Sequence, residues 1–115
     1  MLAQIEEGFD GPLNIERTRY GDDVIVFSLS GEFDLSVAAD AAATLAPALD
    51  ERGAMIVIDL TNLEFIDSSA VAFFYDLARS RPEDDSLRLL RSRHQGVNRV
   101  LDLTEVGLVI PIVSA

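Results

Sequence analysis

The chain has 115 residues, no Cys, 20 acidic against 9 basic residues and a net charge of −11. That length fits one domain with a core of its own, and the lack of Cys excludes a disulfide framework, a thiolate metal site and a Cys nucleophile. The negative field argues against direct binding to nucleic acid, and because every basic residue is Arg, no Schiff-base or P-loop lysine is available.

Residues 1–11 read as a loose lead-in ending at Gly11-Pro12. They carry Glu6, Glu7 and Asp10 and no basic residue, the opposite of a signal peptide. No apolar run approaches the ~20 residues of a membrane span. A cytoplasmic protein without membrane insertion is therefore expected.

Leu13 to Tyr20 alternates, with Leu13 and Ile15 against Asn14 and Glu16, the period of a half-buried strand. Gly21-Asp22 is a turn signal, and Asp23 to Ser30 follows with Ile25, Phe27 and Leu29 on one side, predicting a hairpin. Gly31 to Asp34 breaks the pattern. From Ser36 to about Glu51, Ala38, Ala41, Leu45, Ala48 and Leu49 recur at helical spacing. Ser36 or Asp34 is placed to cap that helix. Pro47, costing ~3 kcal/mol inside a helix, predicts a kink or an early end, with Arg52-Gly53 closing the segment.

Met55 to Leu60 is nearly all apolar and reads as a central strand covered on both faces, with Thr61 to Ile66 as a connection. Ser68 to Arg79 predicts a second helix with Val71, Phe74, Leu77 and Ala78 on one face. Arg81 to Asp85 reads as a loop and Leu87 to Leu90 as a short strand. Gly96 to about Glu105 predicts a third helix with Val97, Val100 and Leu101 inward, ended by Gly107. Leu108 to Val113 reads as a last strand, at an edge because of Pro111. The predicted order is β-β-α-β-α-β-α-β, an α/β single domain over 1–115 with a mixed sheet.

Enzyme chemistry finds little support. His94 is the only His, and it lies among Arg91, Ser92 and Arg93 where a surface position is expected. No G-x-S-x-G elbow, no G-x-G-x-x-G or P-loop and no metal-ligand spacing appear. No catalytic residue, cofactor or metal is expected. The segment Asp67-Ser68-Ser69 does carry chemistry. Asp67 is placed as an N-cap, and Ser68 would lie in the first turn, where free N–H groups and the helix dipole favour an anion. Asp-Ser-Ser caps helices anywhere, so the segment fits a purely structural cap as well as a serine suited to phosphorylation.

Leu63 to Ala70, Leu-Glu-Phe-Ile-Asp-Ser-Ser-Ala, resembles the phosphorylation segment of the anti-sigma-factor antagonists, members of the STAS family. Ser30-Gly31-Glu32-Phe33-Asp34 is similar to that family's G-E-x-D signature, and Val97 to Leu101 with Gly107-Leu108 is similar to its last helix and turn. The resemblance implies a STAS fold and a partner switch. Unphosphorylated, the protein would bind an anti-sigma factor with serine kinase activity and so free a sigma factor. Phosphorylation at Ser68 would end the contact, and a serine phosphatase would restore it. Asp34, Asp67 and Ser69 would flank the site. A STAS regulatory subunit of a transporter or of a stress-sensing complex is the alternative with the same fold. The chain departs from the family in Ala70, where Gly is usual and gives a looser helix start. It also lacks the final helix of many relatives, which implies an exposed sheet face or edge. Arg88, Arg91, Arg93 and Arg99 form the one basic cluster, a solvated surface or a meeting point for an acidic group.

Overall fold

Ile25, Phe27 and Leu29 alternate with part-exposed neighbours, and Leu13 and Ile15 with exposed ones. In the computed structural model, which describes residues 3–51, 53–81 and 87–114, they line the buried face of an antiparallel hairpin. Its strands are β2 (Leu13–Tyr20) and β3 (Val24–Phe33). Arg52 and residues 82–85 of the expected loop lie outside the described residues.

Three differences from the sequence reading follow from backbone pairing. Ala3–Phe9 is not a loose lead-in but a strand, β1, antiparallel to β2. Its Ile5 is 71% exposed, so this edge strand is held by its ladder and not by burial, and apolar alternation could not reveal it. β3 does not stop at Ser30: Gly31 takes φ +91°, the Glu32 N–H donates to Pro12 O at 3.2 Å, and the strand runs on to a buried Phe33. The strand from Met55 does not stop at Leu60 either. β4 (Met55–Ile66) continues through the expected connection, with Asn62 to Ile66 paired in parallel with Ser30 to Phe33.

Among the described residues six strands form one mixed sheet whose order is the order of the chain. β3, β4, β5 (Leu87–Leu90) and β6 (Ile112–Val113) run parallel. They are linked by α1 (Leu35–Leu49), α2 (Ser68–Ser80) and α3 (Gln95–Leu103). Met55 to Leu60 is central, as expected, yet covered on one face only. Ile56, Ile58 and Leu60 are fully buried, whereas Met55, Val57 and Asp59 are part-exposed on the other face. Val has the propensity for a strand whether or not a layer covers it, so composition alone could not separate the two faces.

The helices bury Val37, Ala41 and Leu45, then Ala70, Phe73, Phe74 and Leu77, then Val97 and Leu101, in one cluster with the covered sheet face. Phe33, Phe73 and Phe74 form an aromatic trio with centroids 5.1–6.1 Å apart. Pro47 sits in the last turn of α1, which ends two residues later. α3 ends at Leu103, two residues short of the expected Glu105: Thr104 is its C-cap, Glu105 turns left-handed at φ 58°, and Val106–Leu108 makes a 3-10 turn. The last strand is therefore only Ile112–Val113, although its edge position beyond Pro111 stands.

Two Arg clamps close the far end of α1. Arg81, 3% exposed, donates from its guanidinium to the carbonyls of Leu49, Glu51 and Ala54. Glu51 accepts from Arg19 at 2.7 Å and Arg17 at 3.1 Å, and the hydrogen bond from Arg19 holds its carboxyl below the ordinary value despite the opposing effect of burial.

Candidate functional site

β3 and β4 end in register, Phe33 opposite Ile66, and the Asp67 N–H donates to Phe33 O at 3.2 Å. Because both strands point the same way, α1 and α2 begin side by side at this end of the sheet. Each begins with Asp-x-Ser. Asp34 is extended at φ −125°, and its carboxylate accepts from the Ser36 N–H at 2.9 Å and the Ser36 hydroxyl at 2.5 Å. Asp67, at φ −116°, does the same for Ser69 at 2.9 and 2.5 Å. The side chain two residues on is thereby consumed in the cap.

Asp67 has a second task. Its Oδ1 also accepts from the Ala70 N–H at 3.3 Å, and its Oδ2 from the Leu35 N–H at 3.2 Å, the first residue of α1. One carboxylate thus closes two helix starts, whose dipoles both favour a negative charge. Burial pushes the Asp67 carboxyl up, but the Ser69 hydroxyl and the N–H groups of Ala70, Ser69 and Leu35 outweigh it and hold the group below its ordinary value. The expected cap at Asp67 is observed, and the structure adds its link to the start of α1 through Leu35.

Ser68 and Ser69 separate cleanly. Ser69 is part-buried and donates to Asp67, whereas Ser68 is exposed and its hydroxyl has no hydrogen-bond partner among the described residues. Among the described residues no carboxylate or imidazole is hydrogen-bonded to the Ser68 hydroxyl, and the neighbouring Asp67 carboxylate is already engaged. The Ser68 hydroxyl is therefore open to solvent with no side chain among the described residues positioned to activate it. A phosphate at the first helical position would lie at the positive end of the α2 dipole, where Asp67 already holds the N–H groups of Ser69 and Ala70.

The surroundings of Ser68 were not legible beforehand. Leu35 holds in α1 the place that Ser68 holds in α2, and it is 74% exposed, with Phe65 48% exposed near the same end. Both are large apolar side chains left exposed within two residues of a cap aspartate, Leu35 after Asp34 and Phe65 before Asp67. The signal available in the sequence was the parallel between Asp34-Leu35-Ser36 and Asp67-Ser68-Ser69. Ala70 is fully buried, so its methyl group faces the core and leaves the exposed surface as a Gly would.

His94 is exposed at the start of α3 and makes no side-chain capping bond. Of the four arginines, Arg91 pairs with Asp102 at 3.2 Å, Arg88 is half-buried, and Arg93 and Arg99 are exposed. Among the described residues no group of three His, Cys, Asp or Glu side chains could hold a metal ion, and no helix is long and apolar enough to cross a membrane.

Residues 17–111 match the family model described as "Mlab, STAS domain". No curated protein sequence matches significantly. Among solved structures, the chain is similar to an anti-sigma factor antagonist from Mycobacterium paratuberculosis, with 21% identity, a TM-score of 0.79, and coverage of 88% of this chain and 85% of that one. It is similar to the anti-sigma factor antagonist SpoIIAA in its unphosphorylated form, with 20% identity, a TM-score of 0.73, and coverage of 88% and 87%. It is also similar to the Bacillus cell fate determinant SpoIIAA in the phosphorylated form, with 19% identity, a TM-score of 0.66, and coverage of 88% and 90%. At these identities the likeness establishes the fold.

Proposed function

Since the chain belongs to the STAS domain family, we propose that it is an anti-sigma-factor antagonist switched by phosphorylation at Ser68. Unphosphorylated, the end carrying Leu35, Phe65 and Ser68 binds an anti-sigma factor that has serine kinase activity, and a sigma factor is released. Transfer of a phosphoryl group to the Ser68 hydroxyl ends the contact, and a serine phosphatase restores it. The protein is a substrate and ligand in the cytoplasm, not an enzyme, and touches no DNA itself.

The observation that carries this reading is the division of labour between the two serines. Ser69 is locked onto Asp67, and Ser68 is free at a helix start amid exposed apolar side chains. A partner packed on Leu35 and Phe65 covers a neutral hydroxyl at little cost. A phosphate adds about −1.5 to −2 charges at that point. Buried against the same partner without a cation, such a charge costs several kcal/mol, and ~2.7 kcal/mol already lowers affinity 100-fold. Solved relatives in this fold include one protein captured both unphosphorylated and phosphorylated, which accords with the reading.

The test is phosphorylation by the cognate anti-sigma kinase with ATP, followed by mass spectrometry. Ser68→Ala abolishes the modification and Ser69→Ala leaves most of it. Phosphate found on Ser69 or Thr61 refutes the assignment. A chain that is never phosphorylated in its cell and copurifies with a transporter ATPase belongs instead to the regulatory-subunit class of STAS domains.

A further inference from the structure

The sheet face turned away from the helices holds a groove of about 500 Å³ between β2, β3, β4 and the end of β1. Its floor is a grid. Glu16, Ser28 and Asp59 are direct neighbours across three strands, and Asn14, Ser30 and Asn62 form a second row beside them. Strand spacing places the Cα atoms of Glu16 and Asp59 roughly 10 Å apart. Asn14 accepts a hydrogen bond from the Gly11 N–H, and Asp59 accepts from Thr61. Among the described residues the other four side chains make no hydrogen bond.

Asp10 adds a third carboxylate, and no basic residue is among the described residues lining the groove. The wall is apolar: Phe9, and Ile5 at 71% exposure. It is shaped by a register break in β1 between Glu6 and Phe9, where Gly8 lies so close to β2 that a Cβ there would stand 1.8 Å from Ile15 O. A face that is merely solvated mixes charges of both signs. This one offers carboxylates, amides and hydroxyls beside an apolar wall, in the middle of the sheet.

We propose that this groove docks an extended, basic segment of a partner protein, at a surface separate from the Ser68 end. Arg or Lys groups would face Glu16, Asp59 and Asp10, and an aliphatic residue would cover Ile5 and Phe9. Charge complementarity selects this occupant. A second copy of the chain would bring like carboxylates together under a net charge of −11 on each molecule. A hydrophilic polyamine would leave Ile5 wet. The surface is independent of the switch, so the partner stays bound whether or not Ser68 carries phosphate.

The experiment is a titration of the isotope-labelled full chain with a short peptide of alternating Arg and Val, followed by amide chemical shifts. Shifts are expected at Asn14, Ser28, Ser30 and Asn62. Glu16→Arg, at an exposed position, weakens binding at least about tenfold with an otherwise unchanged spectrum, Glu16→Gln weakens it less, and Ser68→Asp leaves it unchanged. Shifts centred on Ser68 or spread over the whole surface overturn the proposal. So does equal binding of a Glu and Val peptide, a spermidine affinity matching that of the peptide (counterion binding only), or self-association of the free chain through this face.

Discussion

Replacing Asp67 by Ala removes four hydrogen bonds at once: those from Ser69 N, Ser69 Oγ and Ala70 N at the start of α2, and that from Leu35 N at the start of α1. Losing an N-cap side chain costs roughly 0.5–2 kcal/mol. The lost hydrogen bond from the exposed Leu35 N–H adds about 1 kcal/mol. The sum, about 1.5–3 kcal/mol, corresponds in a domain of this size to a melting temperature lower by about 6–12 °C. Asp67→Asn keeps an acceptor and loses only the charge between two helix poles, about 1 kcal/mol. The pH dependence has a definite sign. The folded Asp67 carboxyl lies below its ordinary value, so its stabilisation is complete above the unfolded pKa near 3.9 and disappears as pH falls through the folded value. The gap between wild type and Asp67→Asn is therefore constant around neutrality and closes in acid. Thermal melts of the three proteins across that range measure it. An Asp67→Ala variant melting within about a degree of wild type, or a gap that widens in acid, refutes this account of the site.

Ser68→Asp is expected to weaken binding to the anti-sigma partner at least about tenfold while the free domain melts almost unchanged, since the helix pole and the nearby carboxylate oppose one another; calorimetric titration and a melt report both. Arg81→Ala strands the carbonyls of Leu49, Glu51 and Ala54 around a vacated buried site, and a loss of roughly 3 kcal/mol is expected in urea unfolding. Gly31→Ala places a methyl 2.4 Å from Pro12 O at φ +91°, so a loss of at least about 1–2 kcal/mol is expected by the same assay, with β2–β3 amides exchanging faster.

What alternates or repeats in the sequence proved legible. Leu13 to Leu29 showed the hairpin, Val71 to Leu77 showed α2, and Asp67 showed its cap. What depends on backbone ladders did not. β1 buries little, and the second half of β4 breaks alternation at Asn62, because two register shifts against β3 reorient its side chains. The buried Arg81 was hidden because a charged residue beside Pro82 reads as solvated until the carbonyls it clamps are in place. At the site, Ser68 could be named from its place after the cap. Leu35 could not, since its significance depends on two strands ending in register, a relation between segments over 30 residues apart.

The strand order matches the chain order, and each strand pairs with the one made just before it. During synthesis every new strand therefore meets a partner that has already left the ribosome, and no earlier pairing has to open to admit it. The hydrogen bonds that seat Asp67 involve residues 33–71 only, and the strand pair beneath it is complete at Ile66. The residues that present Ser68 are thus all available before β5, α3 and β6 have been made.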